Sequence, residues 1–494
     1  MLRAGGNAVD AVCAASFAAF VAESPLCSPA GAGALVVGTP DQGLRALDFF
    51  AAVPGLGLRA EPTLDFFDVT VDFGPTQQVF HIGRAAAAVP GALPGLLAAH
   101  DRYGELPLKE VVAPAVALAE DGYRISDGLA HIVSILEPIA RQSTEVARIL
   151  GVHGSPPAGG AQLRNPELGA FLRQLAVAPH QTLRGPFADA MVEQCGPEVG
   201  GLLTRRDLQT YRPVWREPLW TEVGDLRMAS NPPPSSGGGL IAIGMQLACR
   251  LKLHQPTWAS AEHALEVAAL LTALSDVRSD GYDDKIAEPA DALRVLANAR
   301  QGGYTRMHDR RREERHLGST THISVRDERG GVASLTMSNG EGCGRALPGL
   351  GVHVNNFLGE EDINPRGFHQ TPAGRRMTTM MAPTVVCQGA APVLALGSGG
   401  SNRIRSAILQ VLLARIFGGM DLDQAVQSPR LHVEGSTLWY EAPGFSDAAL
   451  EALASGWPDA TRFDAPSMFF GGVHAVSPDA AAGDPRRGGA TVTV

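Results

Sequence analysis

The segment GSTTHIS (318–324) places two threonines and a histidine where a charged stretch gives way to an alternating pattern. A threonine hydroxyl is a weak nucleophile unless a base lies beside it, and the α-amine of an N-terminal threonine is such a base. That amine titrates at about 7.7–8.0 in model peptides, so much of it is neutral near physiological pH. Thr320 gains the amine only if the Ser319–Thr320 bond breaks, through attack of its own hydroxyl and hydrolysis of the resulting ester. An ordinary β-strand explains the same residues, because threonine favours strands.

The residues that follow predict a β-hairpin that carries this threonine. STTHISV (319–325) and VASLTMS (332–338) both alternate, and DERGG (327–331) between them is a turn signal. We take Val325 to lie opposite Val332 across this turn, although a register shifted by one residue also fits the pattern.

In that register Thr320 lies near Met337. Thr336 and Ser338 flank this position, and a hydroxyl from either one can bind the nucleophile or its amine. His322 shares the strand, but no Asp or Ser at a recognisable spacing pairs with it. A structural role for the histidine therefore explains the sequence as well as a catalytic one.

A second candidate lies at GSGGSN (397–402), between the apolar strand pattern APVLALG and a helix predicted over 401–419. Ser401 or Asn402 is suited to be the N-cap of that helix. Consecutive glycine N–H groups at a helix N-terminus stabilise an anion, and form an oxyanion hole when they face a reacting carbonyl. A close-packed turn accounts for the same residues.

The composition excludes several other classes of protein. The 494 residues are 45% hydrophobic and 19% charged with a net charge of −10, and the arginine-rich run 306–315 is interleaved with acids, which favours a solvated loop over a nucleic-acid surface. Six widely spaced cysteines without a CxxC or Cys/His cluster predict neither a disulfide framework nor a metal site, and no cofactor is expected. The apolar stretch 11–22 is too short to cross a membrane. We expect a cytoplasmic protein, or a periplasmic one if a signal precedes this start.

The remaining pattern predicts a layered α/β sandwich, because helical stretches lie on both sides of strand-rich ones. NPPPSSGGGL (231–240) is predicted to be irregular until its glycines end, after which IAIGMQLACRLKL starts a helix. The other main predictions are listed together: helices over 7–22, 260–278 and 446–455, and strands within 28–38, 44–50, 332–338 and the TVVCQG and APVLALGSGG segments.

Taken in order, these segments resemble the γ-glutamyltransferase (γ-glutamyltranspeptidase) family of N-terminal-nucleophile hydrolases, as a divergent bacterial-type member. The matching motifs are GGNAVDA (5–11), PGALPGLLAAHDRYGELPLKEVVAPAVALAEDG (90–122), LTRRDLQTYRPVWREPL (203–219), PPPSSGG (232–238), TTHISV (320–325), VNN (354–356), RRMTTMMAPT (375–384), GSGGS (397–401) and DPRRGG (484–489). The resemblance implies a four-layer αββα sandwich. It also implies a large-subunit part, 1–319, and a small-subunit part, 320–494, that together form one domain.

The resemblance implies catalytic roles for five residues. Thr320 matches the threonine that self-cleavage frees at the Ser319–Thr320 bond. Ser338 stands at the position of a second threonine that supports the nucleophile, with Thr336 as its near neighbour. Gly399 and Gly400 match the paired glycines of the oxyanion hole.

The resemblance also implies a set of donor-binding residues. Thr378 and Thr379 stand where the family has two serines that contact the donor's α-carboxylate. Asn339 is the nearest match to an asparagine that contacts the donor, and Glu360 to the acid that holds its α-amino group.

Two departures bear on the substrate. Phe50 stands where the family has the arginine that binds the glutamyl carboxylate, and Phe357 stands where a glutamine usually follows VNN. A bidentate arginine is the strongest specific receptor for a carboxylate. The glycine pair also lacks its preceding proline, and the short segment between VNN and the Thr378–Thr379 pair suggests a pocket without the usual lid. We therefore expect weak turnover of γ-glutamyl donors.

The leading hypothesis is a self-processing threonine amidohydrolase or acyltransferase that cleaves a γ-glutamyl or related side-chain amide. An acyl-enzyme on Thr320 would pass its acyl group to water or an amine. The alternatives are a glutaryl or cephalosporin acylase-like amidase, and an unprocessed, non-catalytic homologue that binds a small ligand. The expected partners are a small-molecule amide, the two fragments of the cut chain, and a second copy in a homodimer of processed heterodimers.

Overall fold

The computed structural model describes residues 1–72, 77–255, 257–286, 294 and 319–494. The charged run 306–315, predicted to be a loop, lies outside the described residues. The strands are β1 (Ala32–Thr39), β2 (Gly43–Phe49), β3 (Phe67–Asp72), β4 (Gln77–Ile82), β5 (Tyr123–Arg124), β6 (Gln162–Leu163), β7 (Val214–Arg216), β8 (Leu219–Val223), β9 (Leu226–Ser230), β10 (Thr321–Arg326), β11 (Val332–Ser338), β12 (Ala346–Leu347), β13 (Val352–His353), β14 (Thr384–Gln388), β15 (Ala391–Gly399), β16 (Leu431–Glu434), β17 (Thr437–Glu441), β18 (Thr461–Phe463), β19 (Gly472–Val476) and β20 (Ala481–Ala482).

The described residues also form α-helices. They are α1 (Ala8–Ala22), α2 (Ala92–Tyr103), α3 (Leu108–Asp121), α4 (Asp127–Ile135), α5 (Glu137–Ala140), α6 (Thr144–Ile149), α7 (Pro166–Val177), α8 (Pro179–Thr182), α9 (Ala188–Cys195), α10 (Arg205–Thr210), α11 (Ser236–Leu251), α12 (Ala261–Ser279), α13 (Tyr282–Lys285), α14 (Arg403–Ile416), α15 (Leu422–Gln427) and α16 (Asp447–Gly456).

Two antiparallel sheets form the centre of the molecule. Sheet A has the strand order β10-β11-β1-β2-β7, and sheet B has the order β20-β19-β15-β14-β9-β8. Their facing sides bury small and β-branched side chains together, including Val36 and Ala46 from sheet A and Val385 and Ala395 from sheet B. Short side chains allow the two sheets to pack closely.

Helices cover the outer face of each sheet. The buried side of α1, with Phe17 and Phe20, packs with α2, α3 and α7 over Leu35 and Leu47 of sheet A. Helices α11, α12 and α14 cover sheet B, where Leu396 lies in their shared core. The layers are therefore helix, sheet, sheet, helix, which confirms the predicted αββα sandwich.

The predicted register of the β10–β11 hairpin was wrong by one residue. Arg326 pairs with Val332 and Thr321 with Met337, so Val325 lies opposite Ala333. The turn sets this register, because the Asp327 N–H donates to the Gly331 carbonyl at 3.0 Å. The Asp327 carboxylate in turn accepts the Gly331 N–H at 2.8 Å. The loop between the paired residue of β10 and Val332 is therefore one residue shorter than the sequence pattern indicated.

The prediction that helix α11 starts only after its glycines was also wrong. The helix begins at Ser236, with the Ser235 side chain as its N-cap, so the glycines are helical. A Cβ atom at Gly237 would lie 2.0 Å from the Met380 carbonyl oxygen, and one at Gly238 would lie 2.0 Å from the Asn231 carbonyl oxygen. Glycine is needed here for close backbone packing.

We expect Gly238→Ala to lower the free energy of unfolding by about 1–3 kcal/mol, because backbone atoms must move to admit the methyl group. Urea unfolding of the purified protein measures the change. Gly128→Ala is the matched control, since it is also helical, in α4, and its added Cβ meets no atom within 4 Å. The control should be neutral or stabilising by up to about 1 kcal/mol. Equal midpoints for the two variants would contradict the packing argument.

Candidate active site

Thr320 lies directly before β10, at the open end of the hairpin, and is buried. In the corrected register the next residue pair after Thr321 and Met337 brings Thr320 opposite Ser338. The Ser338 hydroxyl donates a hydrogen bond of 2.5 Å to the Ser319 carbonyl oxygen. The Gly340 N–H donates to Ser338 Oγ at 2.9 Å and orients it. The carbonyl of the predicted scissile bond therefore has a donor in place.

The paired glycines lie against the same segment. A Cβ atom at Gly399 would be 2.2 Å from the Thr320 carbonyl oxygen, so the end of β15 touches the Thr320 backbone. Gly400 has φ of 120°, a conformation that L side chains rarely adopt. Since α14 begins three residues later at Arg403, the strand–glycine–helix junction forms as predicted and lies beside Thr320.

The prediction that Ser401 or Asn402 is the N-cap of α14 is confirmed in position. Asn402 is the N-cap residue by position, but its side chain makes no capping hydrogen bond. Both side chains instead donate to the carboxylate of Asp362, with Asn402 Nδ2 at 2.8 Å from Asp362 Oδ1. The acid therefore anchors the loop that follows the glycine pair.

Thr336 is buried beside His322 and not beside Thr320. Its hydroxyl is 2.8 Å from His322 Nδ1, and the Ser324 hydroxyl is 2.8 Å from His322 Nε2. Burial, followed by the charge of His474, lowers the pKa of His322 well below its ordinary value, so the ring is neutral. Of the two predicted supporting hydroxyls, the structure brings only that of Ser338 to the scissile bond.

A group of acids lies on the other side of Ser319. The Ser319 N–H donates to Glu341 Oε1 at 3.4 Å, and burial raises the pKa of Glu341 to about 7. Burial, with the neighbouring charges of Glu341 and Asp362, raises the pKa of Glu360 well above its ordinary value. A Cβ at Gly340 would be 2.3 Å from Glu360 Oε1, so this carboxyl group lies against the backbone between Ser338 and Glu341.

Asn339, predicted to contact the donor, is fully buried next to these acids. Its Oδ1 accepts the Ser28 hydroxyl at 2.8 Å, and its Nδ2 has no hydrogen-bond partner among the described residues. Asn356 is similar, because its Oδ1 accepts the Glu341 N–H at 2.9 Å while its Nδ2 has no partner in the described part of the chain. The Asn356 amide and the Glu360 carboxyl group both lie against Gly340, which directly follows Asn339.

The two threonines predicted to bind a carboxylate differ in their surroundings. Thr379 is buried, and its hydroxyl accepts the Met381 N–H at 3.2 Å. Its carbonyl accepts the Ser236 N–H at 2.8 Å, which ties it to the start of α11. Thr378 is half-buried. The structure gives Thr379 a role in its own turn, whereas Thr378 keeps a more accessible hydroxyl.

The two aromatic departures contact each other. The rings of Phe50 and Phe357 are 5.0 Å apart between centroids, and both side chains are buried. Met377 and Met381 pack in the same cluster. The two side chains that replace an arginine and a glutamine therefore form one apolar unit, which the sequence alone did not reveal because the residues are far apart along the chain.

Sequence reasoning also missed two acids near the scissile bond. Glu23 accepts the Thr321 hydroxyl at 2.6 Å, and burial raises its pKa. Glu341 lies in a glycine-rich turn, where no periodicity distinguishes it from a surface residue. The only sequence feature that pointed to Glu341 was an acidic residue among glycines directly after a predicted strand.

The gamma-glutamyltranspeptidase family model matches residues 1–494. The chain belongs to this family. It is 29% identical over 486 residues to the acylase ACY 1 proenzyme of Pseudomonas sp. (strain V22), covering 92% of this chain and 84% of the relative. It is 27% identical over 485 residues to the glutathione hydrolase proenzyme of Bacillus subtilis (strain 168), covering 92% of this chain and 81% of that one.

The solved structures agree on the family fold. Cephalosporin acylase from Bacillus halodurans matches with a TM-score of 0.79 and 23% identity, over 98% of this chain and 91% of that chain. Within the described residues, no helix combines the length and apolarity needed to cross a bilayer. The described part of the chain also contains no group of three or more His, Cys, Asp or Glu residues that could hold a metal ion.

We expect Ser338→Ala to slow cleavage of the Ser319–Thr320 bond about 10²–10³-fold, the usual effect of losing an oxyanion donor. Denaturing electrophoresis of samples taken during refolding or expression measures the rate. Thr336→Val is the matched control on the same strand, because its hydroxyl binds His322 and not Ser319. Equal slowing by both variants would show that the effect comes from damage to β11.

Proposed function

We propose that the protein is a self-processing threonine amidohydrolase that forms its active site by cutting the Ser319–Thr320 bond. The observation that carries the proposal is the hydrogen bond from Ser338 Oγ to the Ser319 carbonyl, with Gly399 against the Thr320 backbone. A hydroxyl nucleophile, a polarised carbonyl and a glycine pair therefore share one small region. A threonine at the start of an ordinary β-strand, without a catalytic role, does not require this combination.

The self-cleavage step follows from these contacts. Thr320 Oγ attacks the Ser319 carbonyl carbon, and the negative charge that forms on the oxygen is stabilised by the Ser338 hydroxyl. The C–N bond then breaks, which leaves an ester on Thr320 Oγ and a free Thr320 amine. Water hydrolyses the ester and releases the Ser319 carboxylate. The fragments are residues 1–319 and 320–494.

The mature cycle repeats this chemistry on an external amide. The Thr320 amine takes the hydroxyl proton as Oγ attacks, and backbone N–H groups of Gly399 and Gly400 stabilise the oxyanion. The leaving amine departs with a proton, and an acyl-enzyme remains on Oγ. Water or an amine then accepts the acyl group, which gives hydrolysis or transfer.

The fragments are held together by the sheets. In sheet A, β11 pairs with β1 from the first fragment, and in sheet B, β14 pairs with β9. Each interface also buries a hydrophobic core that both fragments share. The cut is therefore compatible with one stable two-chain enzyme.

The substrate departs from a γ-glutamyl donor. The Phe50–Phe357 pair occupies the positions expected to hold a carboxylate receptor, and an apolar unit cannot satisfy a carboxylate. This observation favours the second candidate, an acylase-like amidase whose donor does not depend on that arginine. The relatives named acylases, among them the Pseudomonas sp. (strain V22) proenzyme, support the same reading.

We expect the purified chain to give two bands on a denaturing gel, the smaller beginning at Thr320 by N-terminal sequencing. Thr320→Ala removes the hydroxyl and should leave a single full-length band. Thr321→Val, at the neighbouring hydroxyl, is the control and should still be cut. A single band in the natural sequence, identical to that of Thr320→Ala, supports the non-catalytic homologue instead.

We expect pentanoyl p-nitroanilide to be hydrolysed with kcat/KM at least about 10-fold above that of glutaryl or γ-glutamyl p-nitroanilide, because an apolar pair replaces the arginine that would bind their carboxylate. Phe50→Arg should raise γ-glutamyl and glutaryl turnover relative to pentanoyl turnover. Phe17→Leu, in the core behind sheet A, is the control for a general loss of packing. Fast γ-glutamyl turnover by the natural sequence would show that another cation binds the carboxylate.

A further inference from the structure

In the uncleaved chain, Ser319 is the acyl part of the amide to be broken. Its carbonyl is held by Ser338 Oγ at 2.5 Å, and its N–H is held by Glu341 Oε1 at 3.4 Å. The site therefore already binds one acyl group, whose nitrogen is attached to the carbon next to the scissile carbonyl. A γ-glutamyl donor is different, because its amino group lies several bonds away from that carbonyl.

The acids around Ser319 have carboxyl oxygens that can accept further hydrogen bonds. Glu341 is only 2% exposed, and its Oε2 has no hydrogen-bond partner among the described residues. The Oε1 atom of Glu360 is buried and also lacks a partner in the described part of the chain. Burying a carboxyl oxygen that accepts no hydrogen bond costs free energy. A group from outside the described chain that donates a hydrogen bond to this oxygen therefore stabilises the site.

The described cations do not fill this position. Arg278 forms ion pairs with Asp283 and Glu434. No ion pair of the described residues includes Glu341 or Glu360. After the cut, Glu341 also loses the Ser319 N–H as the first fragment's end leaves. The mature site thus presents two carboxyl groups that a substrate ammonium can satisfy.

The same site lacks a receptor for a substrate carboxylate at the arginine position. The buried Phe50–Phe357 pair fills it, as described above. The two carboxyl groups beside Ser319 favour an acyl group with an ammonium close to the scissile carbonyl. The apolar pair at the arginine position disfavours a carboxylate at the far end of that acyl group.

We propose that the acyl donor is an α-aminoacyl amide, and that Glu341 binds its α-ammonium where it binds the Ser319 N–H before the cut. This inference rests on the proposed function, since it concerns the substrate of the same Thr320 site. Thr320 Oγ forms an ester with the aminoacyl carbonyl as the amide C–N bond breaks, and the amine leaves with the hydroxyl proton. Water then releases the free amino acid. Glu341 is a specificity residue that contacts the donor.

The test compares two anilides of the same shape. L-alanyl p-nitroanilide and propionyl p-nitroanilide differ only in the α-ammonium, and both are assayed with the self-cleaved enzyme. We expect kcat/KM for the alanyl substrate to be about 10- to 100-fold higher, as for the loss of a charge-assisted hydrogen bond. The alanyl substrate should also exceed glutaryl and γ-glutamyl p-nitroanilide.

Glu341→Gln tests the residue itself. Its amide oxygen can still accept the Ser319 N–H, whereas its lost charge should raise KM of the self-cleaved enzyme for the alanyl substrate about 10-fold or more. The ratio of alanyl to propionyl kcat/KM should fall by a similar factor, and kcat for the alanyl substrate should change less than KM. Glu361→Gln is the matched control, because Glu361 is an exposed acid of the same segment.

The outcomes separate this inference from the proposed function. Absence of self-cleavage and of any anilide turnover overturns the proposed function and the inference with it. Self-cleavage with equal alanyl and propionyl turnover overturns only the inference, and this comparison needs no variant. If Glu341→Gln lowers kcat/KM for both substrates equally, or lowers kcat/KM for the alanyl substrate no more than Glu361→Gln does, Glu341 does not bind the ammonium.

Discussion

The pairing register of β10 on β11 decides which side chain meets the Ser319 carbonyl. With Arg326 opposite Val332, the strand end brings Ser338 to the Ser319–Thr320 bond, and a shift of one residue would bring Met337 there instead. Such a shift would also turn every side chain of β10 to the opposite face. The turn acid Asp327 fixes the register, and its Oδ2 accepts the Ala8 N–H at 3.0 Å at the start of α1. One carboxylate thus connects the turn, the first helix layer and the geometry at the Ser319–Thr320 bond.

A second constraint is the closeness of β15 to the hairpin. A Cβ at Gly397 would lie 2.3 Å from the His322 ring, and one at Gly399 would lie 2.2 Å from the Thr320 carbonyl oxygen. Glycine at these positions lets sheet B approach sheet A, and the neutral His322 fills the space with its two hydroxyl partners, Thr336 and Ser324. The histidine is therefore a structural part of the site.

Much of the fold was predictable from the sequence, because ordered motifs and apolar periodicity indicated the αββα layers and most elements in them. The details that failed depend on atomic contacts that the pattern of residue types does not specify. The hairpin pattern allowed two registers, and only the hydrogen bonds of Asp327 and Gly331 distinguish them. The glycines of α11 looked like a loop, because the carbonyls of Asn231 and Met380 that exclude a side chain are not visible in the local sequence.

The same dependence on atomic contacts limits how much of the candidate site the sequence predicts. The glycine pair follows a strand and precedes a helix, so sequence located it well. Ser338 and Thr336 carry similar hydroxyls two residues apart, and their different partners follow from the register alone. The position of Glu341 beside Ser319 and the contact between Phe50 and Phe357 result from tertiary packing. No spacing of residues in the sequence predicts either of them.

Each central sheet joins strands of the two fragments at one strand pair, and this has a consequence for folding. While the chain is whole, β1 and β11 find each other as parts of one molecule. After the proposed cut, neither fragment carries a complete sheet, so refolding from separated chains becomes a bimolecular reaction that depends on concentration. Unfolding of the mature protein is then not the reverse of its folding, and its persistence is set by the rate at which the sheets open.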